Sequence, residues 1–264
     1  MNTITSREYK LILNSARFLD RIAASDAFQD LIGFLAARLG GEIKRQTKEE
    51  IRNTSYLDTE DFLFRRAGYA LRLRHEEDED NFKLTLKFRS PDLILAEDAS
   101  VETTDDRRAE MKFEEDLMPP FRSVFSRSSA IRFKKKPDLA TIDAAIEIFP
   151  ALKSLNLPKK TKLATVNGFT PKEVFRKLCK VDFRKAEPIK LGLSFWYAEN
   201  ARDWPLIAEC AFNFEWDAGR DRFDLDQVRQ ANDLFRLLQM QPGWFNADAT
   251  TKTRYAYEGL QPLP

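Results

Sequence analysis

The sequence contains few of the residues that build metal and redox sites. Only two cysteines and one histidine occur among its 264 residues. Cys179 and Cys210 stand apart from each other and outside any CxxC or Cys/His motif, which favours reduced, buried thiols over a disulfide. Zinc sites usually need several Cys or His ligands, so a single histidine, His75, argues against one.

A charge excess and long apolar runs are also missing. The 43 Lys and Arg residues nearly balance the 42 Asp and Glu residues, which leaves a net charge of +1. Binders of nucleic acid or of membrane surfaces usually carry a basic excess, so we expect neither kind of partner. No stretch approaches the roughly 20 apolar residues that span a bilayer. Residues 1–10 lack the apolar segment of a signal peptide, and we therefore expect a cytoplasmic protein.

Common nucleotide-binding and hydrolase motifs do not occur. The sequence contains no G-x-x-x-x-G-K-[ST] loop, no G-x-G-x-x-G turn and no G-x-S-x-G elbow. It also has no internal repeat and no low-complexity linker, so we predict one domain over residues 1–264. The oligomeric state stays open.

Short strand-like segments recur along the whole chain and alternate with a few helical ones. Helices are predicted at 25–39, with Ser25 as N-cap and a Gly-Gly stop, and at 224–239, with an apolar stripe. Shorter helices are predicted at 121–126 and after Pro171. Many adjacent strands with few helices between them favour antiparallel pairing in an α+β fold.

Charged residues share one face of the predicted strands, because side chains alternate along a strand. Arg72 and Arg74 alternate with leucines, and Lys83, Thr85 and Lys87 alternate with apolar residues. Charged residues also occupy one face of four further segments: Glu8 and Lys10; Arg108, Glu110, Lys112 and Glu114; Arg132 and Lys134; Glu209 and Glu215.

An open antiparallel sheet with one wet face would explain any one of these strands. Six such strands, mostly with charged rather than neutral polar residues, favour a closed barrel whose charged face lines the interior. Arg and Lys there would suit phosphate oxygens, and the carboxylates among them could hold a divalent cation. Periodicity by itself leaves the closure open.

Three short motifs resemble, in their order and spacing, the CYTH family, also called triphosphate tunnel metalloenzymes. The family pattern Y-x-D-T, L-R-x-R and T-x-K is present here as Tyr56-Leu57-Asp58-Thr59, Leu71-Arg72-Leu73-Arg74 and Thr85-Leu86-Lys87. Arg108-Ala109-Glu110, Ala208-Glu209 and Thr251-Lys252-Thr253 resemble further family segments. The resemblance implies a closed eight-stranded antiparallel β-barrel, a tunnel with a charged interior, flanked by helices.

The resemblance also implies a site. It assigns catalysis to Glu8, Lys10 and Lys87, and it implies Mg²⁺ or Mn²⁺ held by Glu8, Glu110, Glu209 and Glu215. The triphosphate ligands that it implies are Arg72, Arg74, Lys83, Lys87, Arg108, Arg132 and Lys134, with Lys190 as a weaker candidate.

Two positions depart from the family pattern. The first strand of the family usually reads E-x-E-x-K, and here Ser6 stands where the first Glu is expected. Lys112 stands where a second acidic residue is common. Fewer carboxylates and an added ammonium lower the affinity for a hard dication, whereas phosphate binding should survive.

Three functions are consistent with these residues. The first is a metal-dependent hydrolase of inorganic tripolyphosphate or a nucleoside triphosphate. The second is a binding module that captures polyphosphate or a phosphorylated metabolite without turnover. Nucleotide cyclisation ranks third, because no base-recognising pocket can be located in the sequence.

Overall fold

The computed structural model describes residues 4–79, 81–105, 108–158, 160–184, 187–198, 204–216, 222–246 and 251–258. Within these ranges the chain forms eleven strands and six α-helices. The strands are β1 Ser6–Leu13, β2 Glu42–Arg45, β3 Glu49–Asp58, β4 Tyr69–Glu76, β5 Asn81–Ser90, β6 Glu110–Met118, β7 Arg122–Phe133, β8 Ala164–Thr165, β9 Lys172–Asp182, β10 Ile189–Tyr197 and β11 Ile207–Glu215. The helices are α1 Arg21–Arg38, α2 Leu63–Arg66, α3 Leu93–Asp98, α4 Ile142–Ile148, α5 Leu225–Gln239 and α6 Lys252–Glu258.

Nine of the strands close into a barrel. Their order is β9-β10-β11-β1-β6-β7-β5-β4-β3, and β3 pairs with β9 to complete the ring. The short strands β2 and β8 extend the sheet outside the ring, next to β9 and β3. The closed barrel flanked by helices confirms the fold class predicted from the sequence.

Two details of that prediction are wrong. The ring contains nine strands rather than eight. One pair is parallel, because β1 runs alongside β6 with Ser6 beside Glu114 and Tyr9 beside Leu117. Antiparallel direction is imposed on strands that a short hairpin joins. About a hundred residues separate β1 from β6, so their connection imposes no such direction.

The apolar faces of the strands point away from the barrel interior and pack against helices. Phe28 and Ile32 of α1, and Leu234 of α5, form one buried cluster with Tyr9 and Phe212 of the barrel. A second cluster joins α2 and α4 to β4 and β5. Burying each large apolar side chain contributes about 1.5–3 kcal/mol, so these layers hold the barrel wall in place.

The two long helices have the positions that the sequence indicates. Helix α5 spans Leu225–Gln239 with Asp224 as its N-cap. Helix α1 begins earlier than predicted, because Asp20 rather than Ser25 caps it and accepts a hydrogen bond from the Ala23 amide at 3.0 Å. Among the helices of the described residues, none has the length and apolar content to span a bilayer.

The predictions of short helices near 121–126 and after Pro171 are both wrong. Residues 122–126 belong to β7, which pairs with β5 and β6 along its length. Pro171 stands just before β9, and its carbonyl accepts a hydrogen bond from the Thr54 amide at 3.2 Å. Pairing with neighbouring strands outweighs local helix signals in both segments.

Candidate functional site: a charged tunnel

The barrel encloses a cavity of about 890 Å³ that is lined by side chains of the ring strands and of the helices α2 and α6. Twelve basic and seven acidic side chains line it among the described residues, a surplus of five positive charges. The whole chain has a net charge of only +1. The positive charge is therefore concentrated inside the barrel.

Eight of the residues implicated by the sequence line this tunnel. They are Glu8, Lys10, Arg72, Arg74, Lys83, Lys87, Glu110 and Glu209. The alternation of charged and apolar residues therefore identified the inner face of β1, β4, β5, β6 and β11 correctly. Their roles in binding or catalysis remain predictions.

Four implicated residues lie outside the tunnel. Arg108 precedes β6 and is 82% exposed, and Lys134 follows the end of β7 and is exposed. Arg132 is half-exposed and pairs with Glu76 at 2.6 Å, and Glu215 is exposed at the end of β11. Alternation predicts the face of a strand but not where the strand ends, and these residues lie at or beyond the ends.

An arginine cluster contains the least compensated charge in the tunnel. Arg74 lies 3.3 Å from a carboxylate oxygen of Glu173, and Arg89 lies 3.4 Å from Asp116. Arg72 forms no ion pair with a described residue, and its buried Nε has no hydrogen-bond partner there. Repulsion from Arg74, together with burial, lowers the pKa of Arg72 to about 10.

Thr85 stands directly beside Arg72 on the neighbouring strand and faces the same cavity. Its buried hydroxyl also lacks a hydrogen-bond partner among the described residues. Buried polar groups are normally satisfied, so two adjacent unsatisfied donors indicate a place prepared for an acceptor. A phosphate oxygen has the charge and the lone pairs to fill it.

Lys10 connects two carboxylates on the opposite side of the barrel. Its ammonium lies 2.8 Å from Glu8 and 2.9 Å from Asp116. Asp116 also lies 3.8 Å from Lys87, which in turn is 3.1 Å from Glu114. Burial raises the pKa of Asp116, but attraction to Lys10 and then to Lys87 outweighs it, and the pKa falls below its usual value.

Helix α6 adds a lysine to the tunnel wall. The Lys252 ammonium lies 2.9 Å from Glu173, 2.8 Å from Glu209 and 2.8 Å from the Ser194 hydroxyl. Burial lowers the pKa of Lys252, but attraction to Glu173 and Glu209 outweighs it and raises that pKa. A protonated lysine cannot take a proton from Ser194, so this contact is not a Ser-Lys nucleophile.

Tyr257 fixes α6 to the barrel, because its hydroxyl donates a hydrogen bond to buried Asp58 at 3.1 Å. We expect Tyr257→Phe to reduce the free energy of unfolding by about 1.5–3 kcal/mol, the contribution of a hydrogen bond to a charged group. Urea denaturation at neutral pH measures the change. The matched control is Tyr255→Phe in the same helix, where a change below about 0.5 kcal/mol is expected. Equal losses in both variants would contradict the assignment.

Sequence reasoning missed several tunnel residues. Asp116 lies on the same face as Glu110 and Glu114, but the predicted strand ended too early to include it. Arg89 continues the alternation of Lys83 and Lys87 by one more step. Glu173 was hidden by the helix predicted after Pro171. Asp116 and Arg89 would have been identified if the predicted strands had been extended to the next turn residues.

The carboxylates do not form a metal cage. CYTH enzymes in general depend on a metal ion, and three or more nearby acidic, His or Cys ligands would be its usual sign. No such group occurs among the residues that the structure describes. The facing pair Glu8 and Asp116 shares the ammonium of Lys10, and Glu209 is bound to Lys252. The donor set therefore does not fit the Mg²⁺ or Mn²⁺ site that the resemblance implies.

A closed barrel with a cationic, ion-paired interior defines a tunnel fold, and the comparisons with known proteins agree. The family model described as CYTH domain matches residues 34–124, which contain Arg72, Arg74, Lys83 and Lys87. This match confirms the resemblance seen in the sequence motifs. Among curated proteins, none matches the chain.

Two solved structures are similar to this chain along almost its full length. A Hippeastrum protein assigned as an adenylyl cyclase, and described as having a dominant triphosphatase activity, has a TM-score of 0.50 at 14% identity, with 98% of each chain covered. A Bacillus halodurans protein assigned as an adenylate cyclase has a TM-score of 0.44 at 12% identity, with 97% of this chain and 99% of that chain covered. At this identity the Hippeastrum structure supports the fold.

Proposed function

We propose that the tunnel binds the triphosphate chain of inorganic tripolyphosphate or of a nucleoside triphosphate and hydrolyses a phosphoanhydride bond. The observation that carries this proposal is the uncompensated guanidinium of Arg72 within a lining that has five surplus positive charges. The dominant triphosphatase activity of the similar Hippeastrum protein supports the choice of hydrolysis.

The positive charge of the tunnel lining favours a ligand with the negative charge of a triphosphate. Each terminal phosphate carries about −1.5 to −2 at pH 7, and each inner phosphate about −1. A nucleoside triphosphate, with one terminal phosphate, therefore carries roughly −3.5 to −4, and inorganic tripolyphosphate, with two, roughly −4 to −5. The charge of tripolyphosphate matches the surplus of five in the lining, and that of a nucleoside triphosphate is slightly smaller. Arg72 would bind phosphate oxygens in its planar fork, and Arg74, Lys83 and Lys87 would neutralise the neighbouring phosphates.

Hydrolysis of a phosphoanhydride rests mainly on positioning and on charge stabilisation. Glu8 and Asp116 both face the tunnel, but the side chain of Glu8 is 25% exposed and that of Asp116 only 4%. Glu8 would therefore orient the attacking water and accept its proton. The new bond forms between this water and the terminal phosphorus, and the bond to the bridging oxygen breaks.

Lys10 and Lys87 would stabilise the charge that develops as this bond breaks. Burial lowers the pKa of Lys10, but attraction to Asp116 and then to Glu8 outweighs it and raises the pKa, so Lys10 stays protonated. Mg²⁺ or Mn²⁺ would take no part in these steps, because the carboxylates that would hold the ion are bound to lysines.

The same pairing of carboxylates with lysines favours a second candidate function. A tunnel whose acidic side chains are already neutralised could capture a polyphosphate without hydrolysing it. Capture and turnover differ in one observable, the release of phosphate from a bound ligand.

Phosphate release from tripolyphosphate and from ATP, in Mg²⁺, Mn²⁺ or EDTA, tests the proposal directly. We expect release by the wild type and a decrease of about 100-fold in Lys87→Ala, the loss typical of a removed transition-state donor. Lys135→Ala is the matched control, since Lys135 is exposed outside the tunnel and its removal should leave the rate unchanged.

Thermal shift in the same samples separates the alternatives. A ligand-induced rise in melting temperature without phosphate release would favour capture without turnover. Neither a shift nor release with either substrate would contradict both candidate functions.

A further inference from the structure

Every acidic side chain that lines the tunnel in the described part of the chain has a cationic partner within the protein. Six of the seven lie within 3.1 Å of a lysine ammonium: Glu8 and Asp116 at Lys10, Glu110 at Lys83, Glu114 at Lys87, and Glu173 and Glu209 at Lys252. The seventh, Glu258, pairs with Arg65 and Arg254. A dication at these carboxylates would have to compete with the protein's own cations for their negative charge.

Lys112 adds a cation where β6 carries a row of carboxylates. It stands between Glu110 and Glu114 on the inner face of the strand, with its ammonium 3.3 Å from Glu110. Burial lowers the pKa of Lys112, but attraction to Glu114 and then to Glu110 outweighs it and raises that pKa. Ser6, opposite Glu114, donates its hydroxyl to that carboxylate at 3.1 Å and adds no negative charge.

Lys252 neutralises a second group of carboxylates on the other side of the tunnel. Glu173 of β9 and Glu209 of β11 project toward one point, and the ammonium of Lys252 occupies that point. Two carboxylates that share one small cation resemble a pair that shares a metal ion. Here the cation is part of the chain and is supplied by α6.

The overall charge also leaves no need for a dication. The surplus of five positive charges already matches the roughly −4 to −5 of inorganic tripolyphosphate. A bound dication would bring the total to seven positive charges against the same ligand. Complexation of the free ligand by Mg²⁺ would lower its negative charge and weaken its attraction to the tunnel.

We propose that this tunnel captures its triphosphate as the metal-free anion, with Lys112 and Lys252 in the places that a dication would occupy. The inference rests on the proposed function and goes beyond it, because it specifies the ionic form of the ligand. It concerns binding and is independent of whether hydrolysis follows.

Isothermal titration of the wild type with tripolyphosphate, in EDTA and in excess Mg²⁺, tests this inference. We expect the Kd in EDTA to be equal to or lower than the Kd in Mg²⁺. Binding that weakens about tenfold or more in EDTA would overturn the inference and leave the proposed function standing. Binding in neither condition would overturn both.

Lys112→Glu provides the complementary test, because it completes a row of four alternating carboxylates with Glu110, Glu114 and Asp116 and lowers the surplus from five to three. In EDTA this variant should bind tripolyphosphate about tenfold more weakly or worse, and Mg²⁺ should restore binding. Lys135→Glu makes the same charge change at an exposed position outside the tunnel and should stay within about twofold of the wild type.

Melting temperatures of both variants would establish whether they are folded. Metal-dependent binding by the wild type, or equal weakening in both variants, would contradict the role assigned to Lys112.

Discussion

Arg72→Ala is expected to weaken tripolyphosphate binding by about 1000-fold, because removing one partner of a buried charge pair costs about 2–5 kcal/mol. The same change should leave the ligand-free protein as stable as the wild type, or more stable. The pKa of Arg72 falls from 12.5 in the unfolded chain to about 10, so its charged form is disfavoured by folding at neutral pH. Isothermal titration and melting temperatures measure the two effects.

Arg132→Ala is the matched control for this variant. It also removes one arginine from the barrel, but Arg132 is half-exposed and pairs with Glu76 and Glu79 outside the tunnel. We expect its Kd to stay within about threefold of the wild type. If both variants bind equally well, or if Arg72→Ala unfolds the protein, Arg72 is a structural residue and the binding site lies elsewhere.

Asp116→Asn should lower the free energy of unfolding by about 3–5 kcal/mol, the usual loss when one partner of a buried ion pair is removed. The substitution leaves Lys10, Lys87 and Arg89 without their shared counter-ion. Urea denaturation at pH 7 measures the loss. Asp233→Asn on α5 breaks an exposed pair with Arg236 and should cost less than about 1 kcal/mol.

The wild type should also lose this stabilisation in acid. The pKa of Asp116 is lower in the folded protein than its usual 3.8, so the stabilisation is present above that pH and declines as the pH falls below it. Asp116→Asn has no such carboxylate, so its stability should decline less over the same range. Parallel pH profiles for the two proteins would contradict this assignment.

Local sequence alternation was enough to find the inner wall of the barrel. In β4 and β5 each arginine and lysine is preceded by an apolar residue, and burial of these apolar residues requires the basic side chains to face the other way. That constraint holds for every residue within a strand. It therefore placed Arg72, Arg74, Lys83 and Lys87 on the charged face before any strand pairing was known.

Strand ends and strand partners could not be found in this way. Arg108 and Lys134 have the right alternation, but β6 begins at Glu110 and β7 ends at Phe133. The parallel pairing of β1 with β6 and the closing contact of β3 with β9 join segments far apart in the chain. Such pairings depend on packing of the whole barrel, which a local pattern does not encode.

The position of β1 has a consequence for how the chain folds as it is synthesised. Ser6 pairs with Glu114 on one side and with Glu215 on the other. β1 therefore leaves the ribosome about two hundred residues before its partner β11, and contacts of such separation slow folding. Until then the unfinished sheet exposes a face rich in arginine, lysine and glutamate. Charged edges and faces resist pairing with other chains, so the same side chains that line the tunnel would protect the nascent protein from aggregation.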